Sequence, residues 1–279
     1  MNPDELRAEL AALARQAQGL ADLDRLLGVR DTPVPPLPPL RAAFAPPRSP
    51  SVAAPANRAR DATPASPKAL PKEPRPARGL SLAEREARLH TLADRMAGCT
   101  RCRLHEGRTR LVFGQGAADA DLVFVGEGPG YHEDQQGLAF VGRAGELLTK
   151  MIAALGLSRD EVFICNVVKC RPPGNRNPQP DEMGTCLPYL REQLDIVQPR
   201  VICALGKTAA VGLGLITPDQ SLGRNRGLHD WHGTPALVTY HPAYLLRSPS
   251  EKRKAWHDLQ QLFPYIGGRP GREAGSARA

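Results

Sequence analysis

The chain has no run of about 18 apolar residues, so no membrane-spanning helix is expected. Its beginning, MNPDELRAEL, carries acids and lacks the apolar core of a secretion signal. An intracellular, cytoplasmic location is therefore expected, with no membrane partner. Residues 1–80 have almost no aromatics but hold 15 of the 28 prolines, a composition that cannot bury a core. Roughly 190 of the 279 residues remain for folding, the size of an ordinary single domain. A monomer is expected. Net charge is +8, divided evenly: residues 1–80 carry 12 basic and 8 acidic groups, and the remainder supplies the other +4. Such an excess suits an anionic partner such as nucleic acid, and it equally serves solubility alone.

Four segments follow from the pattern. In residues 1–30, Leu6, Leu10, Leu13, Ala17, Leu20 and Leu27 recur at helical spacing, predicting an amphipathic helix with a face for a protein partner. Residues 31–80 are rich in proline and alanine and read as a disordered linker. Residues 81–266 form the folded domain, and 267–279 read as a disordered tail. Ser81 and Glu84 form a capping box before a helix that runs to about Ala97. Strands are expected at 121–126, 161–167, 200–205 and 235–240. Helices are expected at 143–155, 181–197, 207–213 and 251–263. Near-continuous apolar strands alternating with helices predict a three-layer α/β/α domain around a central four-stranded parallel sheet. Ligands in such folds sit at the carboxyl ends of the strands. Gly126-Glu127, Asn166 and His241 stand at three of those ends.

Two motifs carry chemistry. The first is LVFVGEGPGYHEDQQGLAFVGRAGELL, residues 122–148, where a strand drops into a glycine-rich turn. Such turns usually cradle phosphate, yet this one carries Glu127, Glu133 and Asp134 and lacks the GK[ST] ending of a phosphate loop. The second is a cysteine set. Cys99 and Cys102 form a C-x-x-C, and Cys170 and Cys186 have 15 residues between them. Cys165 and Cys203 lie inside apolar strands and read as core. Four thiolates with one tight pair suit zinc or an iron–sulfur cluster, and the spacing does not choose between them. Pinning both ends of RPPGNRNPQP would order a segment with little apolar content of its own.

From about Ala97 to Pro264 these motifs, in this order, resemble the family 4 uracil-DNA glycosylases, the bacterial and archaeal type with an iron–sulfur cluster. The resemblance rests on C-x2-C, VGEGPGYHEDQQGLAFVGRAGELL, NVVKCRPPGNRNPQPDE, Cys186 and HPAYLLR, and residues 1–80 lie outside it. It implies the uracil-DNA glycosylase fold, activity on uracil in single- or double-stranded DNA, and a [4Fe-4S] cluster on Cys99, Cys102, Cys170 and Cys186. It also implies roles. The backbone of Glu127 and Gly128 would line a uracil pocket, and Glu133 would stand near uracil C5. Phe140 would stack on the base, Asn166 would read its Watson–Crick edge, and His241 would face O2. Glu127, Asn166 and His241 would act in catalysis: Asn166 by holding the base, His241 by donating to O2 as charge develops on uracil, and Glu127 by orienting water or stabilising the sugar cation. Leu245, Leu246, Arg247 and Lys252 would contact DNA as a wedge and its phosphate anchors. Gly128 departs from the alanine more usual in the family. The competing readings are a uracil-DNA binder without turnover, against which the uninterrupted KCRPPGNRNPQPDE speaks, and a zinc-stabilised nucleic-acid-binding module.

Overall fold

The structure, a computed structural model, describes residues 79–266. The expected N-terminal helix, linker and C-terminal tail lie outside the described residues. Helix α1 spans Leu82–Ala97 and opens with the expected capping box. The Ser81 hydroxyl accepts from the Glu84 amide at 3.3 Å, and the Ser81 amide donates to Glu84 Oε2 at 2.7 Å. A short helix α2 (Leu104–Gly107) precedes strands β1 (Gln115–Gly116) and β2 (Leu122–Gly126). Helices α3 (Tyr131–Gln136) and α4 (Arg143–Ala154) lead to β3 (Phe163–Asn166). Helix α5 (Pro180–Val197), β4 (Val201–Leu205) and α6 (Lys207–Gly212) follow. The chain ends with the hairpin β5 (Gly227–Trp231) and β6 (Thr234–Thr239), then α7 (Pro242–Arg247), α8 (Lys252–Leu259) and α9 (Phe263–Ile266).

The sheet order is β1-β3-β2-β4-β6-β5. Its four central strands are parallel, as the sequence predicts. Two antiparallel edge strands extend it, β1 on β3 and β5 on β6. Neither is written in an apolar run: β1 has two residues, and β5 is partly exposed and polar at its centre. The hairpin turns on His232 and Gly233, both at positive φ (48° and 82°), which matches the twist of the flanking strands.

Alternate residues of the parallel strands feed two cores. Val123, Val125, Cys165, Ile202, Ala204 and Val238 face one layer, with α1, α5 and α6. Phe124, Ile164, Cys203, Leu205 and Leu237 face the other, with α4, α7 and α8. The three-layer architecture follows from that alternation. Among the described residues no helix is long and apolar enough to cross a membrane.

Besides the exposed Arg95–Glu192 ion pair, a buried polar contact joins α1 to the rest of its layer. Arg85 is 1% exposed. Its guanidinium donates to the carbonyls of Leu80 and Ile196, both at 3.1 Å, to the Val197 carbonyl, and to Gln198 Oε1 at 2.7 Å. These satisfy carbonyls that the C-terminus of α5 leaves open. Arg85→Ala should strand them in a buried setting and cost about 2–3 kcal/mol. A thermal melt should show Tm lower by roughly 4–12 °C.

Candidate active site

Parallel pairing of β2 with β3 sets Gly126 opposite Asn166. Beyond Gly126 the chain enters the glycine-rich turn and α3, which closes at Gly137 in the left-handed region (φ 74°). Phe140 then takes φ 55°, rare for a side chain with a Cβ, and its ring is 6% exposed. The start of α4 presses against it. A Cβ at Gly145 would lie 1.8 Å from the Phe140 carbonyl oxygen, so only glycine fits there.

Glu133 ties this loop together. Its Oε1 accepts from the amides of Val141 (2.9 Å) and Gly142 (3.0 Å), and its Oε2 accepts from the Gly130 amide at 3.1 Å. Both oxygens are thus engaged by the loop's own backbone, a role the sequence did not reveal. Asp134, 1% exposed, accepts from the Thr109 amide at 2.8 Å and so holds the segment that follows the C-x-x-C.

The loop brings three side chains together over Gly126. A Cβ there would lie 2.3 Å from Asn166 Oδ1 and 2.6 Å from Phe140 Cζ. Asn166 is 2% exposed, and its Oδ1 is buried with no hydrogen-bond partner. An orphaned acceptor in such a place is costly unless a ligand supplies the donor. The His241 ring lies 5.5 Å from that of Phe140, tilted by 31°. His241 caps α7, its Nδ1 accepting from the Ala243 amide at 3.1 Å. That bond places the ring proton on Nε2. Burial first, and then the positive charge of Arg247, draw the imidazole down to about 4, with Glu133 pulling weakly the other way. At neutral pH His241 is an uncharged N–H donor. Gly206 (φ 90°) permits its approach, since a Cβ there would lie 3.0 Å from His241 Cβ.

Glu127 is partly buried, and burial raises its carboxyl above the ordinary range. The Thr208 hydroxyl opposes that shift by donating to Glu127 Oε2 at 2.5 Å. Thr208 carries no sequence motif and was not expected in the site. Gly128 packs under Val168, whose Cγ2 would stand 2.7 Å from an added Cβ. A side chain at position 128 would therefore require Val168 to shift.

One expectation is corrected. Leu245 is 2% exposed and packs with Leu147, Met151, Trp256 and Leu259, so it is the one of the two leucines that belongs to the core rather than to the surface. Helical spacing turns it inward, while Leu246 is partly buried and Arg247 exposed. Lys252 is partly buried, and burial lowers its ammonium below the ordinary range.

Cys99, Cys102, Cys170 and Cys186 line one cavity of about 300 Å³, including its open side. Burial raises the Cys170 thiol, and that of Cys186 to about 11. Donors point at the sulfurs: Arg108 Nη1 reaches Cys170 Sγ at 3.3 Å, and the Lys169 backbone amide serves Cys186. The Lys169 side chain, 1% exposed, donates to the Asn166 carbonyl (2.8 Å) and to Gln193 Oε1 (2.5 Å). Cys165 and Cys203 are core residues, as expected. Among the described residues no group of three or more His, Cys, Asp or Glu side chains is placed to hold a metal ion.

The loop from Arg171 to Gln179 is anchored by Glu182. This carboxylate has no exposed side-chain surface. It accepts from Arg176 through both oxygens (2.8 and 2.7 Å), from the Gln179 amide at 2.7 Å and from Arg103 Nε at 3.1 Å.

The uracil DNA glycosylase superfamily, as described by its sequence profile, matches residues 113–260. The chain therefore belongs to the uracil-DNA glycosylase superfamily. Within it, the chain is 44% identical over 186 residues to the type-4 uracil-DNA glycosylase of Thermotoga maritima, covering 65% of this chain and 96% of that protein. It is 40% identical over 190 residues to the type-4 uracil-DNA glycosylase of Saccharolobus solfataricus (65% and 88% covered). It is 30% identical over 198 residues to a type-5 uracil-DNA glycosylase of Pyrobaculum aerophilum (57% and 87% covered).

Glu182 makes a pH prediction. Hydrogen bonds from Arg176 above all, opposed by burial and aided by the Gln179 amide and Arg103, hold its carboxyl near 2 against an ordinary 4.5. A depressed folded value means the stabilisation is present above about pH 4.5 and is lost as pH falls toward about 2. Glu182→Gln should have a lower Tm than the wild type at neutral pH. The gap should shrink as melts are repeated at lower pH.

Proposed function

We propose that the chain flips uracil out of DNA and hydrolyses its N-glycosidic bond, leaving an abasic site and starting base excision repair. The observation that carries this reading is the buried, unpartnered Asn166 Oδ1 facing the Phe140 ring over Gly126. Uracil presents an N3–H donor beside an O4 acceptor, and an amide presents the complement. Cytosine reverses both groups and would leave like facing like in a dry pocket, a mismatch that discriminates strongly.

Flipping costs a few kcal/mol of lost stacking and pairing. Phe140 restores about 1–3 kcal/mol by stacking on the extruded base. As the glycosidic bond lengthens, negative charge grows on uracil and positive charge on the sugar. His241 Nε2–H donates to O2 and stabilises the uracil anion. With its imidazole near 4, it gives a hydrogen bond rather than a proton. Glu127 supplies the carboxylate needed by the attacking water and by the oxocarbenium-like sugar. Its Oε2 is taken by Thr208, which leaves Oε1 to the reaction. Glu133 holds the loop that carries Phe140, and its carboxylate is close enough to His241 to raise the imidazole slightly. Its place near uracil C5 is part of this reading. Leu246 is the apolar wedge at the DNA face, with Arg247 and Lys252 as its cations. The same reading keeps the protein in the cytoplasm as a monomer and gives residues 1–30 to a protein partner.

The four cysteines are assigned to one [4Fe-4S] cluster. Zinc on the same four thiolates is the alternative. The four cysteines around one cavity, with the Arg108 N–H aimed at the Cys170 sulfur, suit a cluster. A cluster held by these four sulfurs would tie the Cys99–Cys102 segment to the chain after β3 through Cys170 and to α5 through Cys186, on either side of the Arg171–Gln179 loop. Protein purified without oxygen should be brown, with iron and acid-labile sulfide present together, and Cys170→Ala should lose the colour. Stoichiometric zinc without iron would sink the assignment.

The activity itself is tested by incubating the protein with a uracil-containing oligonucleotide, then adding alkali and watching for strand scission. Asn166→Asp sharpens the test. A carboxylate at 166 would repel uracil O4, and single-turnover excision of uracil should fall about 30-fold or more, on the order of 2 kcal/mol. If burial keeps the new carboxyl protonated, slight cytosine excision should emerge, strongest at lower pH. Unchanged uracil excision by a folded, brown variant would reduce Asn166 to a cap on β3.

A further inference from the structure

Thr208 sits where no motif pointed, at the start of α6, 81 residues from Glu127 in sequence, and its hydroxyl gives its hydrogen to Glu127 Oε2 at 2.5 Å. Hydroxyl and carboxylate are both partly buried. A hydrogen bond to an ionised carboxylate in such a place is short and strong, and it fixes rotation about the carboxyl carbon. We propose that Thr208 is the positioning residue for Glu127, its hydroxyl holding the carboxylate turned so that Oε1 faces the reacting sugar. This deepens the proposed glycosylase reading and rests on it.

The alternative for a threonine at this position is to cap its own helix. The N-cap of α6 is Gly206, which has no side chain to cap with, and the Thr208 hydroxyl is committed to Glu127. Burial and Thr208 are the two influences on the Glu127 carboxyl, acting in opposite directions. The other ionisable groups on the surrounding elements include His132, Glu133 and Asp134 on α3, Lys169 and Arg171 after β3, Lys207 beside Thr208 and His241 after β6, and burial and Thr208 outweigh them all at Glu127. Deleting the hydroxyl therefore leaves burial unopposed. The carboxyl then takes up its proton at a higher pH, and the form that serves the reaction is lost earlier on acidification.

The experiment is single-turnover excision from a uracil oligonucleotide across about pH 5 to 9 by wild type, Thr208→Val, Thr208→Ser and Glu127→Gln. Thr208→Val should move the acid limb of the rate profile upward. It should be slower at the acid end by about tenfold more than at the alkaline end. Oligonucleotide affinity should be unchanged. Thr208→Ser, which keeps the donor, should restore the wild-type profile. Should Thr208→Val fail to fold, Thr208→Ala removes the same donor and takes its place. A valine or alanine profile that superimposes on wild type would overturn the proposal. So would a pH-independent loss that serine fails to rescue, which would make Thr208 a packing residue. If Glu127→Gln itself excises uracil at the wild-type rate, the assignment of Glu127 falls first and Thr208 falls with it. A slow Glu127→Gln beside an unmoved Thr208→Val refutes Thr208 alone.

Discussion

The pocket depends on a missing atom. With any side chain at position 126, the Cβ would occupy the space where the Asn166 amide and the Phe140 ring converge. Parallel pairing makes the conflict unavoidable, because it sets residues 126 and 166 side by side at the ends of β2 and β3. Everything else in the site is arranged around that gap. Phe140 reaches it only by adopting a left-handed backbone. Gly145 yields room for that conformation, and the Glu133 carboxylate holds it with three backbone amides. The strain at Phe140 is thus supported by hydrogen bonds rather than by packing alone.

The parts legible in the sequence are those written in local pattern. The four parallel strands, the Ser81–Glu84 cap and the positions of Glu127, Asn166 and His241 at strand ends follow from apolar runs and the rule that places ligands there. The edge strands escaped because β1 is too short for a pattern and β5 has a polar centre. Leu245 and Leu246 look alike in a string of letters, and only packing against Trp256 tells which is core. Thr208, Lys169 and Glu182 were illegible for a different reason. Each acts through a hydrogen bond whose importance depends on burial, and burial of a polar residue has no local signature.

Two polar routes join the cysteine cavity to the pocket. Lys169 is fully buried between them, its amide serving Cys186 and its ammonium serving the carbonyl of Asn166. Asp134, on the loop that carries Phe140, holds the amide of Thr109 beside Arg108, which in turn reaches Cys170. Buried networks of this kind are stable only when every member is satisfied. The cysteine cavity is thus tied by hydrogen bonds to the backbone of Asn166 at the end of β3 and to Asp134 on α3.

The order of the strands has a bearing on synthesis. The side chains of the pocket come from residues 127 to 166, then 208, then 241, and the last arrives only after β6 has paired with β4. Chains emerge from the ribosome N-terminus first. A chain that has reached only α6 lacks His241, and it also lacks Leu237, Leu245, Trp256 and Leu259, which share a core with Phe140, so the pocket and half of its support are completed together by the last segment of the domain.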